Sequence, residues 1–232
     1  MQRKYTNIIR FVLDECLPPI LRDSRWFMYP FFYYWFKGKR IGLYMDFKTA
    51  AYRMTREELA EVYDTLDHRA RDRKTDLSRA SIEGMLNLLD DGDRSLLDVG
   101  CGNGYWLNIV SARRPSLAAM GCDVHETPPE FHEKYRKADI YDLPFEDKSF
   151  DVVTCCHTLE HLVDLQKPVS ELKRVARKKI IIVVPRQRYY YYTLDMHLHF
   201  FAHGMLLANL MNFESYTCVD VKGDWLYIGY FK

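Results

Sequence analysis

The chain has 232 residues and a mass of 27.6 kDa, enough for one full α/β domain with an extension and short for two independent cores. Its 48% hydrophobic and 28% charged residues exclude collagenous, low-complexity and wholly disordered classes. With 33 Lys+Arg against 32 Asp+Glu, the net charge of +1 excludes the strong positive field of a dedicated nucleic-acid binder, although local basic patches remain open.

In chain order, Ile8, Ile9, Val12, Leu13, Cys16 and Leu17 recur at helical spacing, which predicts a short amphipathic helix over Asn7–Leu17 that Pro18-Pro19 stops. An aromatic block follows, from Trp26 to Phe36, hemmed at once by Lys37, Lys39 and Arg40. Two helices are predicted next. One runs over about Thr55–Arg69, with Thr55 as cap and Glu58 three residues on, and the other over about Leu77–Leu89, ended by Gly92. Residues 1–75 thus read as a helical and aromatic extension, and 76–232 as the main domain.

From Ser95 short apolar runs alternate with helical stretches, the pattern of βαβ units and a parallel sheet. Strands are predicted at Leu96–Val99, Ala118–Cys122, Tyr135–Ala138, Phe150–Cys155 and Lys179–Val184, with helices at Tyr105–Arg113 and Leu165–Ala176. After Pro185 come four consecutive tyrosines, Tyr189 to Tyr192, a His-rich loop, and a helix over His203–Met211. Strands near Glu214–Val221 and Trp225–Phe231 are joined by Lys222-Gly223-Asp224, a hairpin-type connection. Six scattered cysteines with no CxxC pair predict free thiols and a reducing, cytoplasmic setting. No apolar run approaches the roughly 20 residues that span a bilayer.

The chemistry is carried by Leu96-Leu97-Asp98-Val99 running into Gly100-Cys101-Gly102-Asn103-Gly104, with a helical pattern from Tyr105. Glycines there let backbone bend tightly against a ligand, and the helix start offers free N–H groups. A dinucleotide fingerprint would need glycine where Tyr105 stands, and a Walker loop would need Gly-Lys-Ser/Thr; both are absent. Asp123 at the end of the second strand stands nineteen positions after Gly104, near the usual twenty or so for an acid that accepts ribose hydroxyls.

On these residues the chain resembles the class I S-adenosylmethionine-dependent methyltransferases, in the small-molecule group with the pattern Asp-x-Gly-x-Gly-x-Gly. The resemblance covers roughly residues 80–232. It continues through Ala138-Asp139-Ile140-Tyr141-Asp142-Leu143-Pro144-Phe145, through Ser149-Phe150-Asp151-Val152-Val153, and through Cys156-His157-Thr158-Leu159-Glu160-His161-Leu162. It implies a Rossmann-like α/β fold with a seven-stranded sheet of order 3-2-1-4-5-7-6, the last strand antiparallel and helices on both faces. It implies S-adenosylmethionine as methyl donor, leaving S-adenosylhomocysteine. Asp98 would orient the amino end of the cofactor, Gly100, Cys101, Gly102, Asn103 and Gly104 its methionine part, Asp123 and Val124 its ribose side, and Asp139 with Ile140 its adenine. Cys156, which opens the turn that brings the acceptor to the methyl, would also contact the cofactor. The Gly-Gly that often precedes the fifth strand is replaced by Arg177-Lys178-Lys179, so that connection is expected to differ.

Catalytic candidates are histidines. His157 is read either as a general base or as pocket lining, since a base is needed chiefly when the acceptor is a poorly acidic hydroxyl. His157 to His161 spells H-x-x-E-H, a zinc peptidase pattern on a helix in another fold; here it starts at a strand end, and no zinc is expected. Asp195, His197 and His199 sit where the family often covers the acceptor, and the two alternating imidazoles would face one way if extended, to bind a metal or a proton. The tyrosine run reads equally as a stacking surface and as packing. The aromatic block is open between a pocket flap, a homodimer contact and an interfacial membrane anchor.

The expected function is methyl transfer to a small-molecule acceptor, with a saccharide or a glycan or lipid-linked precursor as the leading class. The rivals are methylation of a protein or nucleic acid, and a cofactor-binding scaffold without catalysis. Cys156-His157-Thr158-Leu159 lacks the Asp/Asn-Pro-Pro-Tyr/Phe that holds an extruded base, which argues against a DNA base as acceptor. A nicotinamide dehydrogenase is disfavoured by Tyr105.

Overall fold

The computed structural model describes residues 12, 16–70, 75–125 and 134–232, with 64–70 described in backbone only. The helix expected over Asn7–Leu17 falls largely outside these residues.

Seven strands form one sheet: β1 (Ser95–Val99), β2 (Ala118–Asp123), β3 (Tyr135–Lys137), β4 (Phe150–Cys156), β5 (Ala176–Pro185), β6 (Ser215–Asp220) and β7 (Asp224–Tyr230). Their order is β3-β2-β1-β4-β5-β7-β6, and β7 runs antiparallel to both of its neighbours, as the resemblance implied. The central strands β1, β4 and β5 are apolar almost throughout because both faces are covered. Along β5 the alternation is explicit. Ile180, Ile182 and Val184 pack with Leu172, Val175, Leu207 and Met211 of helices α8 (Gln166–Val175) and α9 (Gly204–Met211). Ile181 and Val183 face Met85, Leu86, Trp106 and Val110 of α6 (Arg79–Asn87) and α7 (Tyr105–Arg113).

Helix α8 abuts β5 with no loop, which is how the chain dispenses with the glycines at that junction. The three basic residues are used instead as ties at the base of the sheet. Arg177 and Lys178 reach the buried Asp151 at 2.5 and 3.3 Å, and the buried Lys179 ammonium lies 2.6 Å from Asp90 and 2.8 Å from Asp93.

The extension supplies short helices α1 (Pro19–Arg22), α3 (Ile41–Met45) and α4 (Phe47–Ala50), and longer ones α2 (Arg25–Trp35) and α5 (Arg56–Ala70). The aromatic block is therefore a helix and its C-terminal turn, with Met28, Phe32 and Phe36 four residues apart on one buried stripe. The cap of α5 is reciprocal: Thr55 N–H donates to Glu58 Oε2 at 2.8 Å and Glu58 N–H to Thr55 Oγ1 at 3.2 Å. These helices bury their apolar stripe with Tyr44, Met45 and Phe47 against Tyr192, Met196 and Leu198, in the segment that follows β5. The extension thus covers the same end of the sheet where the glycine loop lies. Among the described residues no helix is long and apolar enough to cross a membrane.

Candidate active site

At the end of β1 the backbone N–H groups of Gly100 and Cys101 both donate to the carbonyl of Cys122, at 2.8 and 3.1 Å, so the loop folds over the tip of β2. Gly100 has φ +74°, and a Cβ there would come within 2.3 Å of Thr158 Oγ1, so the loop and the turn after β4 touch only because the side chain is missing. Gly102, at φ +51°, has nothing within 4 Å of where its Cβ would be; it presents bare backbone to the ligand side. Gly104, also left-handed, caps α7, and Asn103 Oδ1 accepts from Tyr105 N–H at 3.1 Å. Cys101 is buried, so it serves the loop through its backbone.

Three acids rim this loop. Asp98 is buried and its Oδ1 accepts from Thr154 Oγ1 at 2.7 Å. Burial pushes its carboxyl up to about 7; the Thr154 hydrogen bond opposes that shift and the nearby charge of Asp123 adds to it. Asp123 is fixed by two backbone donors, Gly102 N–H to Oδ2 at 2.8 Å and His125 N–H to Oδ1 at 3.1 Å, with Val124 exposed beside it. Asp139 accepts from Tyr141 N–H at 2.9 Å, and its other oxygen pairs with Arg56 of α5 at 3.1 Å; Ile140 is buried next to it. Cys156 places its sulfur 3.6 Å from Met85 Sδ, so its side chain packs on α6.

The turn after β4 gathers a second constellation. Glu160 is fully buried, and neither carboxylate oxygen has a hydrogen bond, though His157 Nδ1 stands 3.3 Å from Oε1. His161 and His197 face each other edge to face with ring centres 4.8 Å apart. Burial pushes the Glu160 carboxyl up, but the close approach of His157, with His161 and His197, outweighs it and holds the group at about 2. The same contact, with Asp224 3.9 Å from Nε2, overcomes the effect of burial on His157 and moves it upward from the ordinary histidine value.

Of the four histidines, then, His157, His161 and His197 converge on Glu160. His199 does not: its Nε2 lies 3.3 Å from the carbonyl of Val163. The expectation that His197 and His199 share one face is corrected because the segment is not a strand. Met196 takes φ +55°, and the two-residue alternation has no meaning there.

Residues 97–184 match the family model described as a methyltransferase domain. Over that span, from β1 to β5, the chain is similar to methyltransferase domains. A probable S-adenosylmethionine-dependent methyltransferase of Mycolicibacterium smegmatis is 37% identical over 92 residues, 36% of this chain and 34% of that protein. A ubiquinone biosynthesis O-methyltransferase of Hahella chejuensis is 37% identical over 95 residues, 36% of this chain and 39% of that protein. The chain spans less than half the length of the curated relatives it matches. The crystal structure of an S-adenosylmethionine-dependent methyltransferase from Thermotoga maritima aligns with a TM-score of 0.53 at 16% identity, over 76% of this chain and 98% of that one; it shares the fold.

S-adenosylmethionine is the donor that the resemblance implies, and the residues at the ends of β1 and β2 fit it. A buried carboxylate at the end of β1 suits an ammonium group, a carboxylate at the tip of β2 suits a diol, and between them the open flank at Gly102 admits a ligand against the backbone. Sequence reasoning missed Glu160 as a site residue, as well as Arg56, Tyr63 and Gln187, which orient the acids and imidazoles. Glu160 carried a signal, standing inside the Leu-Glu-His turn; the other three lie far from any motif.

Proposed function

We propose that this chain transfers a methyl group from S-adenosylmethionine to a hydroxyl of a small-molecule acceptor, with a saccharide or a glycan or lipid-linked precursor as the leading class. The observation that carries the reading is the buried Glu160 carboxylate behind His157 at the end of β4, the position where the resemblance places the acceptor. When bound, S-adenosylmethionine supplies an electrophilic methyl on a sulfonium. Asp98 binds its amino end, Asp123 its ribose, and the loop from Gly100 to Gly104 its methionine part.

A hydroxyl needs help to lose its proton, and His157 is built to give it. Glu160 holds the Nδ1 proton and the orientation of the ring, which leaves Nε2 to take the proton of the acceptor; Nε2 is buried and has no hydrogen-bond partner among the described residues. Tyr192, Met196 and Leu198, on the segment that carries His197, are buried under the extension, which supports a site shielded from water. The tyrosine run gives the saccharide reading little support, since Tyr191 and Tyr192 pack on the extension, Tyr190 lies under Arg22, and only Tyr189 is well exposed. Support for a small molecule comes from relatives such as the ubiquinone biosynthesis enzyme.

A second observation favours an approach to a lipid surface. Helix α2 exposes Trp26, Tyr29, Tyr33 and Tyr34 opposite its buried stripe, and Lys37, Lys39 and Arg40 follow. Between Asp23 and Asp46 the sequence has no acid. Aromatic rings at head-group depth with lysines beside them suit an anionic bilayer, which would bring the site to a lipid-linked acceptor.

Calorimetric titration with S-adenosylhomocysteine, with NAD as control, tests the cofactor assignment. Micromolar binding of the former alone is expected, and Asp123→Ala should weaken it by about tenfold or more by removing charged hydrogen bonds. Absence of binding would leave a scaffold. A methyl-transfer screen over nucleotide sugars, glycolipids, peptide and RNA then decides the acceptor; turnover confined to peptide or RNA would overturn the small-molecule reading. Co-sedimentation with phosphatidylglycerol vesicles, lost in Trp26→Ala and Lys37→Glu together, tests the lipid surface, and dimerisation through α2 without sedimentation would overturn it.

A further inference from the structure

We infer that Glu160, His161 and His197 form a binding site for one divalent cation of the Zn²⁺ type at the acceptor side of the domain. Each of the three offers a ligand atom, and these atoms all lie within 4.8 Å of one another. Ligands of a zinc ion held at about 2.1 Å sit roughly 3.4 Å apart, so side-chain rotations closing the group by an ångström or so complete the shell.

Polar atoms of Glu160 and His161 lack hydrogen-bond partners among the described residues. Glu160 is wholly buried with both oxygens lacking a hydrogen bond, and His161 Nδ1 is buried with no partner among the described residues. Leaving such atoms dry and unpaired is costly, and a cation bound between them removes the cost. His157 approaches Oε1 only, so Oε2 remains available to a metal.

The surroundings prepare the ligands. Gln187 Oε1 lies 2.7 Å from His197 Nδ1; with that carbonyl accepting, the proton is held on Nδ1, the tautomer in which Nε2 is able to ligate a metal. The two ligand-bearing segments are also tied to each other. Leu198 and His199 donate their backbone N–H groups to the carbonyl of Glu160 at 2.7 and 3.0 Å, and the Tyr63 hydroxyl bridges the carbonyls of His161 and Met196 at 3.2 and 3.0 Å. Two imidazoles and one carboxylate form a borderline donor set that suits Zn²⁺, Co²⁺ or Ni²⁺ better than Mg²⁺. Three protein ligands leave one position open to water or to an acceptor oxygen, whose acidity the cation would raise. This is not the H-x-x-E-H peptidase arrangement, because His157 is not a ligand and His197 comes from a separate segment. The role toward the acceptor rests on the proposed methyl transfer; the binding of the cation does not.

The test is metal content by plasma mass spectrometry of the full chain, stripped with chelator and reloaded with Zn²⁺ or Co²⁺, together with the visible absorption of the Co²⁺ form. Expected are about one ion per chain and ligand-field bands of a low-coordinate nitrogen and oxygen site. Affinity should fall by tenfold or more in His197→Gln and Glu160→Gln, and stay within twofold in His199→Asn. If Glu160→Gln fails to fold by circular dichroism, wild type and His197→Gln decide. Absence of stoichiometric uptake by folded wild-type protein at tens of micromolar Zn²⁺ or Co²⁺ would overturn the site, as would equal loss in His199→Asn. S-adenosylhomocysteine titration of the same samples separates the two readings: cation uptake without cofactor binding sinks the methyl transfer alone, and cofactor binding without uptake sinks the cation alone.

Discussion

Arg56 of the extension and Asp139 of the core form an ion pair, Nη1 to Oδ2 at 3.1 Å, while the Arg56 guanidinium lies 4.2 Å from the centre of the Tyr141 ring. Asp139 is the acid that the resemblance assigns to the adenine amino group, so on the proposed reading the extension engages a cofactor-binding residue. Replacing Arg56 by Ala frees it. Being exposed, the pair adds little to stability, so the melting temperature should stay unchanged while S-adenosylhomocysteine binds about twofold to fivefold more tightly by calorimetry. Weaker binding would show that Arg56 helps to hold the cofactor.

The buried Asp98, with its carboxyl at about 7 against an ordinary value near 3.9, gives a pH signature. A carboxyl raised on folding contributes stability that is fully present below pH of about 4 and is lost as pH rises through about 7. The ligand-free protein should therefore melt lower at pH 8 than at pH 6, and Asp98→Asn should reduce that difference while abolishing cofactor binding. A cationic ligand reverses the balance, because it favours the ionised carboxylate. The thermal shift produced by saturating S-adenosylmethionine should be larger at pH 8 than at pH 6; an equal shift at both would remove Asp98 from the site.

His157→Ala tests the base. Loss of a positioned base costs about a hundredfold or more in turnover, whereas affinity for S-adenosylhomocysteine should stay within threefold. If both fall together, His157 holds the turn after β4 in shape and takes no proton.

Lys179 sits beneath the sheet between Asp90 and Asp93, and Asp93 is itself buried. Lys179→Met strands that carboxylate, and urea unfolding should report a loss of about 3 kcal/mol. Adding Asp93→Leu to the same chain should recover much of it, since an apolar pair of similar volume replaces the ions. No recovery would mean that the lysine acts through its contact with the Leu88 carbonyl, 2.8 Å away.

What was legible in the sequence was local. The loop from Asp98 to Gly104 with Asp123 follows from a strand, a turn and a second strand, and the capping pair of Thr55 and Glu58 lies within four residues; both can be read without knowing the tertiary structure. The strand order was legible only through the resemblance. The histidines needed the folded chain, since His197 meets Glu160 only through the packing of the segment after β5. The aromatic block was misleading in another way. Rings at nearly every position hide the helical stripe of Met28, Phe32 and Phe36, because hydrophobicity alone does not separate them from the exposed Trp26 and Tyr34. Arg56 and Asp139, 83 residues apart, had no pattern linking them.

The seam between the extension and the segment after β5 joins residues made early to residues made late. Arg22 reaches the carbonyl of Tyr192, 170 positions further on. At about 5–20 residues per second, roughly 10–30 s of translation separate the two. For that interval the aromatic helices lack the surface that buries them. The seam thus closes only after the sheet from β1 to β5 has been synthesised, and before β6 and β7 have.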